Sequence, residues 1–169
     1  MITADYVRVM ARYNAWQNQQ LTLLLKEQPD EVLRMDRGAF FGSIFASLNH
    51  LLWGDRMWMS RFDTESQKPD GGIADSTALT PTFGVWSADR FKTDGRIKLW
   101  ADRLKTVDLI GELRWYSGAL GRDVSKPMTL CVAHMFNHQT HHRGQVHAMM
   151  TAAGLEAPVT DLFAMPETL

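Results

Sequence analysis

Four of the six histidines in this chain lie close together, in residues 131–145, which read CVAHMFNHQTHHRGQ. In a helix each residue advances about 100°, so His138 and His142 would project from one face, about 6 Å apart along the axis. Imidazole nitrogens at this spacing can bind one divalent metal ion, as they do in the HExxH signature. Gln139 stands where that signature has its glutamate base. The pattern therefore indicates a metal-chelating pair and does not support HExxH protease chemistry.

A third ligand is expected, because catalytic centres of this kind use three protein ligands and leave a fourth position open. The one histidine outside the last predicted helix is His50, which lies at the edge of an apolar helical stripe. Ser47 and Gly54 lie one turn away on either side, and these small residues leave room beside its imidazole for an ion. Two alternatives stay open at this point. The histidines could be hydrogen-bonded core residues, and His134 could replace His142 as the partner of His138.

Three motifs carry a resemblance to a known family: FNHQTHHRGQV, NHLLWGDRMW upstream of it, and YNAWQN near the start. Together they resemble the DinB/YfiT family of metal-binding four-helix bundles, in its order and spacing and over nearly the whole chain. In that family the metal is held by a histidine of the second helix and two ligands four residues apart on the fourth. The resemblance therefore implies His50, His138 and His142 as metal ligands.

The resemblance also implies a function. The family includes thiol S-transferases that act with bacillithiol and isomerases that depend on mycothiol. We therefore expect a metal-dependent enzyme, and a homodimer, that transfers or isomerises its substrate by means of a low-molecular-weight thiol. Three neutral imidazoles leave the ion its full charge, which would lower the pKa of a bound thiol without a protein base. The nitrogen ligands favour Zn(II) or Ni(II), and they also accept Fe(II).

Two other functions compete with this interpretation. One is a metal-binding, stress-related bundle without catalytic turnover, in which the ion only ties two helices together. The other is a metal-dependent hydrolase, which would normally need a protein base near the metal. A closed coordination shell would indicate the structural role, and an open position facing solvent would indicate an enzyme.

Several residues are predicted to wall the pocket or to support the ligands from behind. His134 lies one turn before His138, His141 lies about 60° from it, and Trp53 follows His50 by nearly one turn. The predicted set is His134, Trp53, Asn14 and His141. His147, on the opposite side of the helix, is predicted to be structural or at the surface.

Length and composition limit the remaining possibilities. The 169 residues are 45% hydrophobic, which predicts a single domain over residues 1–169. A net charge of −1 without a basic run argues against nucleic-acid binding. The single cysteine, Cys131, excludes an intrachain disulfide and is predicted to be a buried thiol. We expect a soluble, cytoplasmic protein, because no stretch has the apolar length of a membrane span or of a signal peptide.

The apolar periodicity predicts amphipathic helices, and the resemblance implies that they form an all-α fold, a four-helix bundle. Helices are expected over residues 3–27, from Ser43 to residue 62, over residues 87–110, and from Pro127 to Gly154. Residues 28–42 are expected to be a link. Residues 63–84 are expected to be a long crossover between the second and third helices, and residues 112–126 are compatible with a short hairpin before the fourth.

Charged residues of the middle helices are predicted to lie at the surface. Asp55 is expected to pair there with Arg56 or Lys92. Phe91 and Val107 are expected on the buried side of the third helix. The residues predicted to form its solvated face are Asp89, Arg90, Asp94 and Arg96.

Overall fold

The structure is a computed structural model that describes residues 2–118 and 120–168, and most of these residues are helical. The helices are α1 (Ala4–Leu25), α2 (Asp30–Arg34), α3 (Ile44–Phe62), α4 (Phe83–Arg103) and α5 (Met128–Ala152). Strands β1 (Glu112–Ser117) and β2 (Arg122–Pro127) form an antiparallel hairpin between α4 and α5. The mostly helical fold and the hairpin are as predicted. Within the described ranges, no helix has the length and apolar character needed to cross a bilayer.

Capping residues explain where several helices begin and end. Ser43 caps α3 as predicted, and its hydroxyl accepts the Ala46 N–H at 3.1 Å. Gly154 follows α5 with a φ of 71°, the left-handed conformation that commonly ends a helix. The predicted third helix was misplaced. The observed α4 begins earlier because the Thr82 hydroxyl accepts the Val85 N–H, and it ends at Arg103. The predicted link over residues 28–42 also contains the short helix α2.

The directions of the long helices follow from two clusters of buried apolar side chains. In α1 and α5, residues near the start of the helix belong to the cluster that contains Phe136, and residues near its end belong to the cluster that contains Trp86. Along α3 and α4 this order is reversed. Thus α3 and α4 run in the same direction, and the segment between them returns the chain to the end where α3 began. Four pairs of long helices are in contact: α1 with α4, α3 with α5, α3 with α4, and α1 with α5.

A layer of buried polar side chains separates the two apolar clusters. Arg90 lies at its centre, 2.8 Å from a carboxylate oxygen of Asp55 and 2.7 Å from one of Asp94. We call this set the polar layer, and all four long helices contribute to it: Asn14, Asn18, Asp55, Arg90, Asp94, Gln139 and Arg143.

The polar layer overturns the predicted positions of three charged residues. Asp55 is 1% exposed and pairs with Arg90 instead of with Arg56 or Lys92. Arg90 and Asp94, predicted on a solvated face, are buried as well. These charges can be buried because α3 and α4 place opposite charges against one another. Each charge then has a partner that compensates its lost hydration. Arg56 pairs with Asp89 at 3.1 Å.

The inward position of Arg90 also explains why Phe91 was wrongly assigned to the core. Adjacent residues on a helix differ by about 100° in direction, so Phe91 is turned outward when Arg90 faces inward. Phe91 is 81% exposed. Val107, also predicted as buried, lies beyond the end of α4 and is exposed.

Candidate metal centre

Packing of α3 against α5 brings His50, His138 and His142 together. One nitrogen of each imidazole lies within 4.8 Å of the other two. The Nε2 atoms of His50 and His138 are 3.1 Å apart. A tetrahedral zinc ion, with metal–nitrogen distances of about 2.0–2.1 Å, would hold its ligand nitrogens about 3.3 Å apart. The three side chains could therefore hold a divalent metal ion after small movements.

A hydrogen bond from the loop before α4 fixes the tautomer of His50. Its Nδ1 lies 2.9 Å from the Ser76 hydroxyl oxygen, and that hydroxyl donates its one proton to the Ile73 carbonyl at 2.7 Å. Ser76 can therefore only accept from His50, so the proton of His50 is on Nδ1. This leaves the Nε2 lone pair of His50 directed towards the other two imidazoles and available to a metal.

His142 is oriented in the same way by its own helix. Its Nδ1 lies 2.7 Å from Oε1 of Gln145, three residues later on α5. An amide oxygen can only accept, so His142 donates from Nδ1 and keeps a lone pair on Nε2. Ser76 and Gln145 are the type of supporting partner that metal-binding histidines usually have.

The imidazoles are neutral at neutral pH, the state in which they bind metals. Burial, and then the positive charge of a protonated His142, lower the pKa of His50 to about 4. Burial and neighbouring imidazoles, His142 foremost, lower the pKa of His138 to about 3. Burial also lowers the pKa of His142. The site therefore presents lone pairs without competition from protons.

Gly54 makes room for the middle imidazole. A Cβ at this position would lie 3.0 Å from Cε1 and 3.4 Å from Nδ1 of His138. Glycine in the interior of a helix costs about 1 kcal/mol relative to alanine. The close approach of the His138 ring gives this glycine a packing role beside the candidate site.

Three of the predicted neighbours surround the histidines. The His134 and His138 ring centroids are 5.9 Å apart, and those of His141 and His142 are 4.8 Å apart. The Trp53 indole stacks near His50 at 6.2 Å. His147, predicted on the far side, lies in a groove between α1 and α5.

The fourth predicted neighbour, Asn14, belongs to the polar layer. Its amide lies 3.4 Å from carboxylate oxygens of both Asp55 and Asp94, and its oxygen accepts from Arg143. Gln139 joins this layer to the histidine helix, since its amide donates to the Leu51 carbonyl and accepts from Arg143. The side chain in the place of the HExxH glutamate is therefore fully engaged in structural hydrogen bonds.

Sequence reasoning missed two residues of the site. Ser76 lies in a 3₁₀ segment, Ile73–Ala78, which packs on α3. Phe41 lies in the predicted link, and its ring centroid is 4.0 Å from that of His50 and 5.2 Å from that of His142. Neither residue belongs to a periodic pattern, so no signal in the sequence connects it to the histidines.

A separate cavity lies away from the histidines. It measures about 620 Å³, lies between α3, α4 and the segment that joins them, and includes none of the three histidines. Charged side chains such as Arg56, Lys92 and Arg96 line it. Its lining, within the described part of the chain, contains no histidine or cysteine, so it offers no nitrogen or sulfur donor set comparable to the three histidines.

Comparison with known proteins places these features in a family. The model of the DinB family matches residues 1–168. Protein DinB of Bacillus subtilis (strain 168) is 23% identical over 167 residues, which cover 94% of this chain and 92% of that protein. The crystal structure of a DinB-like protein from Bacillus cereus ATCC 10987 aligns with a TM-score of 0.64 at 20% identity, over 87% of this chain and 90% of that one. This structural likeness concerns the fold alone.

Proposed function

This chain belongs to the DinB family, and from that premise we propose that it is a metal-dependent enzyme that transfers or isomerises its substrate by means of a low-molecular-weight thiol. His50, His138 and His142 would hold the ion. The observation that carries the proposal is the convergence of three neutral imidazoles, two of them with tautomers that direct Nε2 into the site. Their nitrogen donors suit Zn(II) or Ni(II), and also Fe(II).

The protein residues around the ligands favour a thiol over hydrolysis. An ion held by three neutral imidazoles would keep its full charge and so lower the pKa of a thiol or water in an open coordination position. Among the described residues, the group that could hold a metal contains three histidines and no carboxylate. Asp55 is engaged by Arg90, and the amide of Gln139 by Leu51 and Arg143. A hydrolase would normally use a base at this place, whereas a thiol can lose its proton to solvent.

The accessibility of the site supports turnover over a purely structural ion. His50 is 3% exposed, His138 is half-buried and its neighbour His134 is exposed. The approach to the ligands therefore lies on the side of α5, where the neighbouring His134 and His141 are exposed. A three-ligand centre with such an approach fits an enzyme better than a closed structural site.

The finer architecture is part of the same proposal. We propose a single-domain four-helix bundle in which α1, α3, α4 and α5 are the four helices and residues 63–82 are the crossover. We also propose a cytoplasmic homodimer.

Thiol transfer can be tested with the metal-loaded protein. We expect Zn- or Ni-loaded wild type to accelerate the reaction of a small thiol with chlorodinitrobenzene, in which a carbon–sulfur bond forms, chloride leaves and the thiol proton passes to buffer. The His142→Ala variant should lose the acceleration, because one of three ligands is missing, and His147→Ala should keep it. The absorbance of the thioether product gives the rate. Equal rates for wild type and His142→Ala across a panel of thiols would reject the transferase assignment.

The hydrogen bond from His50 to Ser76 predicts a weaker site when the serine is removed. In Ser76→Ala the imidazole of His50 loses the acceptor that fixes its tautomer, and loss of such supporting partners typically costs about 10–100-fold in metal affinity. Competition with a chromophoric chelator would measure the affinity. Ser60→Ala is the matched control, because the Ser60 hydroxyl also bonds a carbonyl three residues earlier, that of Met57, away from the histidines. Unchanged affinity in Ser76→Ala would show that this bond does not support the site.

A further inference from the structure

A strip of side chains extends from the three histidines along the seam between α3 and α5. The two helices run in opposite directions, and their facing residues meet in order. His138 faces His50 and Gly54, and one turn further His134 packs on Trp58 with ring centroids 5.1 Å apart. Near the end of this strip lies Arg61, on the same face of α3 as His50 and Trp58.

Two indole rings hold the guanidinium of Arg61. Its central carbon lies 4.5 Å from the ring centroid of Trp58 and 5.3 Å from that of Trp115 on the hairpin. The two tryptophans themselves meet edge to face at 5.5 Å. Arginine stacked on aromatic rings in this way has little freedom left, so its N–H groups are oriented in advance of any ligand.

The positive charge of Arg61 has no partner in residues 2–118 and 120–168. No carboxylate lies within 4.0 Å of its nitrogens, whereas Arg90, which is more deeply buried, has two. Arg61 is half-buried, and burial lowers its pKa, but a guanidinium stays protonated in proteins. A partly desolvated cation without a counter-ion favours the binding of an anionic ligand, which supplies the missing negative charge.

The other groups near Arg61 do not neutralise it. Burial raises the pKa of the Cys131 thiol, so Cys131 stays uncharged at neutral pH. Lys126, close enough to act on that thiol, adds a second positive charge. The end of the strip is therefore electropositive and walled by aromatic rings.

We propose that Arg61, held by Trp58 and Trp115, is an anion subsite that binds a carboxylate of the substrate or of the thiol. The planar guanidinium fork matches a carboxylate, and the indoles pack against the aliphatic chain that carries it. Gly54 packs against His138, and Arg61 lies seven residues after Gly54 on α3, so Arg61 is about 10 Å from the level of His138 along the axis. The acting ligand is thus a chain with a thiol at the histidines and a carboxylate within about 10 Å of it. Binding of the thiol at the histidines rests on the proposed function, whereas binding of the carboxylate by Arg61 does not.

The first test uses metal-free protein and hexanoate, with tryptophan fluorescence as the readout. We expect saturable binding to wild type that is about tenfold or more weaker in Arg61→Gln, because a hydrogen bond to a charged group is lost. Arg61→Lys keeps the charge without the fork and should be intermediate. Arg114→Gln removes a cation from β1 immediately beside Trp115 and should bind like wild type. The binding of hexanol, which has no charge, should not differ among these proteins. Circular dichroism should show that each variant is folded.

Three outcomes would overturn the subsite: no saturable binding of hexanoate to wild type, equal binding by wild type and Arg61→Gln, or equally tight binding of hexanol.

A second experiment tests whether one ligand binds at both ends of the strip. With metal-loaded wild type, mercaptohexanoate should bind more tightly than mercaptohexanol, and Arg61→Gln should remove this preference. If hexanoate binds through Arg61 but the protein takes up no metal, the proposed function fails and the subsite stands. If metal and thiol transfer are found without any effect of Arg61→Gln on hexanoate, the subsite alone fails.

Discussion

Replacing His138 with alanine is expected to abolish stoichiometric metal binding. His138 lies between the other two candidate ligands, with its Nε2 3.1 Å from that of His50 and its ring centroid 4.6 Å from that of His142. Without it only two imidazoles remain, fewer than the three ligands of a catalytic centre. His50→Ala should have the same effect from the opposite helix. Elemental mass spectrometry on untagged protein should find about one equivalent of transition metal in wild type and none in either variant.

The same variants give a second readout in stability. A metal that binds only the folded protein stabilises it by about 2.7 kcal/mol at one hundred times the dissociation constant. We expect this gain for wild type and for His147→Ala, and none for His138→Ala or His50→Ala. Because the unfolding temperature is measured with and without added Zn(II), each variant serves as its own reference. Tight binding that survives in both His138→Ala and His50→Ala would refute the three-histidine centre.

The largest loss of stability is expected in the polar layer, from Arg90→Leu. Arg90 is 1% exposed and compensates two carboxylates that are themselves buried, those of Asp55 and Asp94. Removing one partner of such a network leaves uncompensated buried charge, which costs about 3–5 kcal/mol. Arg103→Leu on the same helix is the control, since its exposed pair with Glu65 is worth about 0–1 kcal/mol. Urea unfolding of both variants and wild type measures the difference. A loss for Arg90→Leu as small as that for Arg103→Leu would contradict the assigned role.

The pH dependence of this loss identifies its cause. Burial raises the pKa of Asp94 to about 6, although the charge of Arg90 acts to lower it. The folded protein therefore binds more protons than the unfolded chain between about pH 4 and 6, and its stability falls as pH rises through that window. Without Arg90 the pKa of Asp94 rises further, so the window extends upward. The deficit of Arg90→Leu should be larger at about pH 8 than at about pH 5, and a deficit independent of pH would exclude buried carboxylates as its origin.

Most of the helices could be predicted from the amino-acid sequence, and so could the candidates for the histidine group. Periodicity located α1 and α3 because one face of each is apolar. Pro127 and Gly154 marked the ends of α5, and Ser43 marked the start of α3, because the backbone preferences of these residues are local. Spacing placed His138 on one face with both His134 and His142, because residues four apart on a helix share a face, and the family resemblance favoured His142. His50 was found because the chain has one histidine outside the last predicted helix.

Which charges are buried, and which residues support the ligands, depends on how distant segments of the chain pack together. Asp55, Arg90 and Asp94 resemble surface charges in the sequence, because charge is normally exposed and a helix does not show which charged face meets a neighbour. Their burial depends on α3 and α4 presenting opposite charges at the same level of the fold. Ser76 supports His50 from 26 residues away, in a segment without periodicity. In the sequence, nothing distinguishes Arg61 from a surface arginine, because its contact with Trp115 forms only when the hairpin packs against α3. Contacts between distant segments leave no local pattern, and so the tautomers, the polar layer and the proposed anion subsite could be read only from the folded chain.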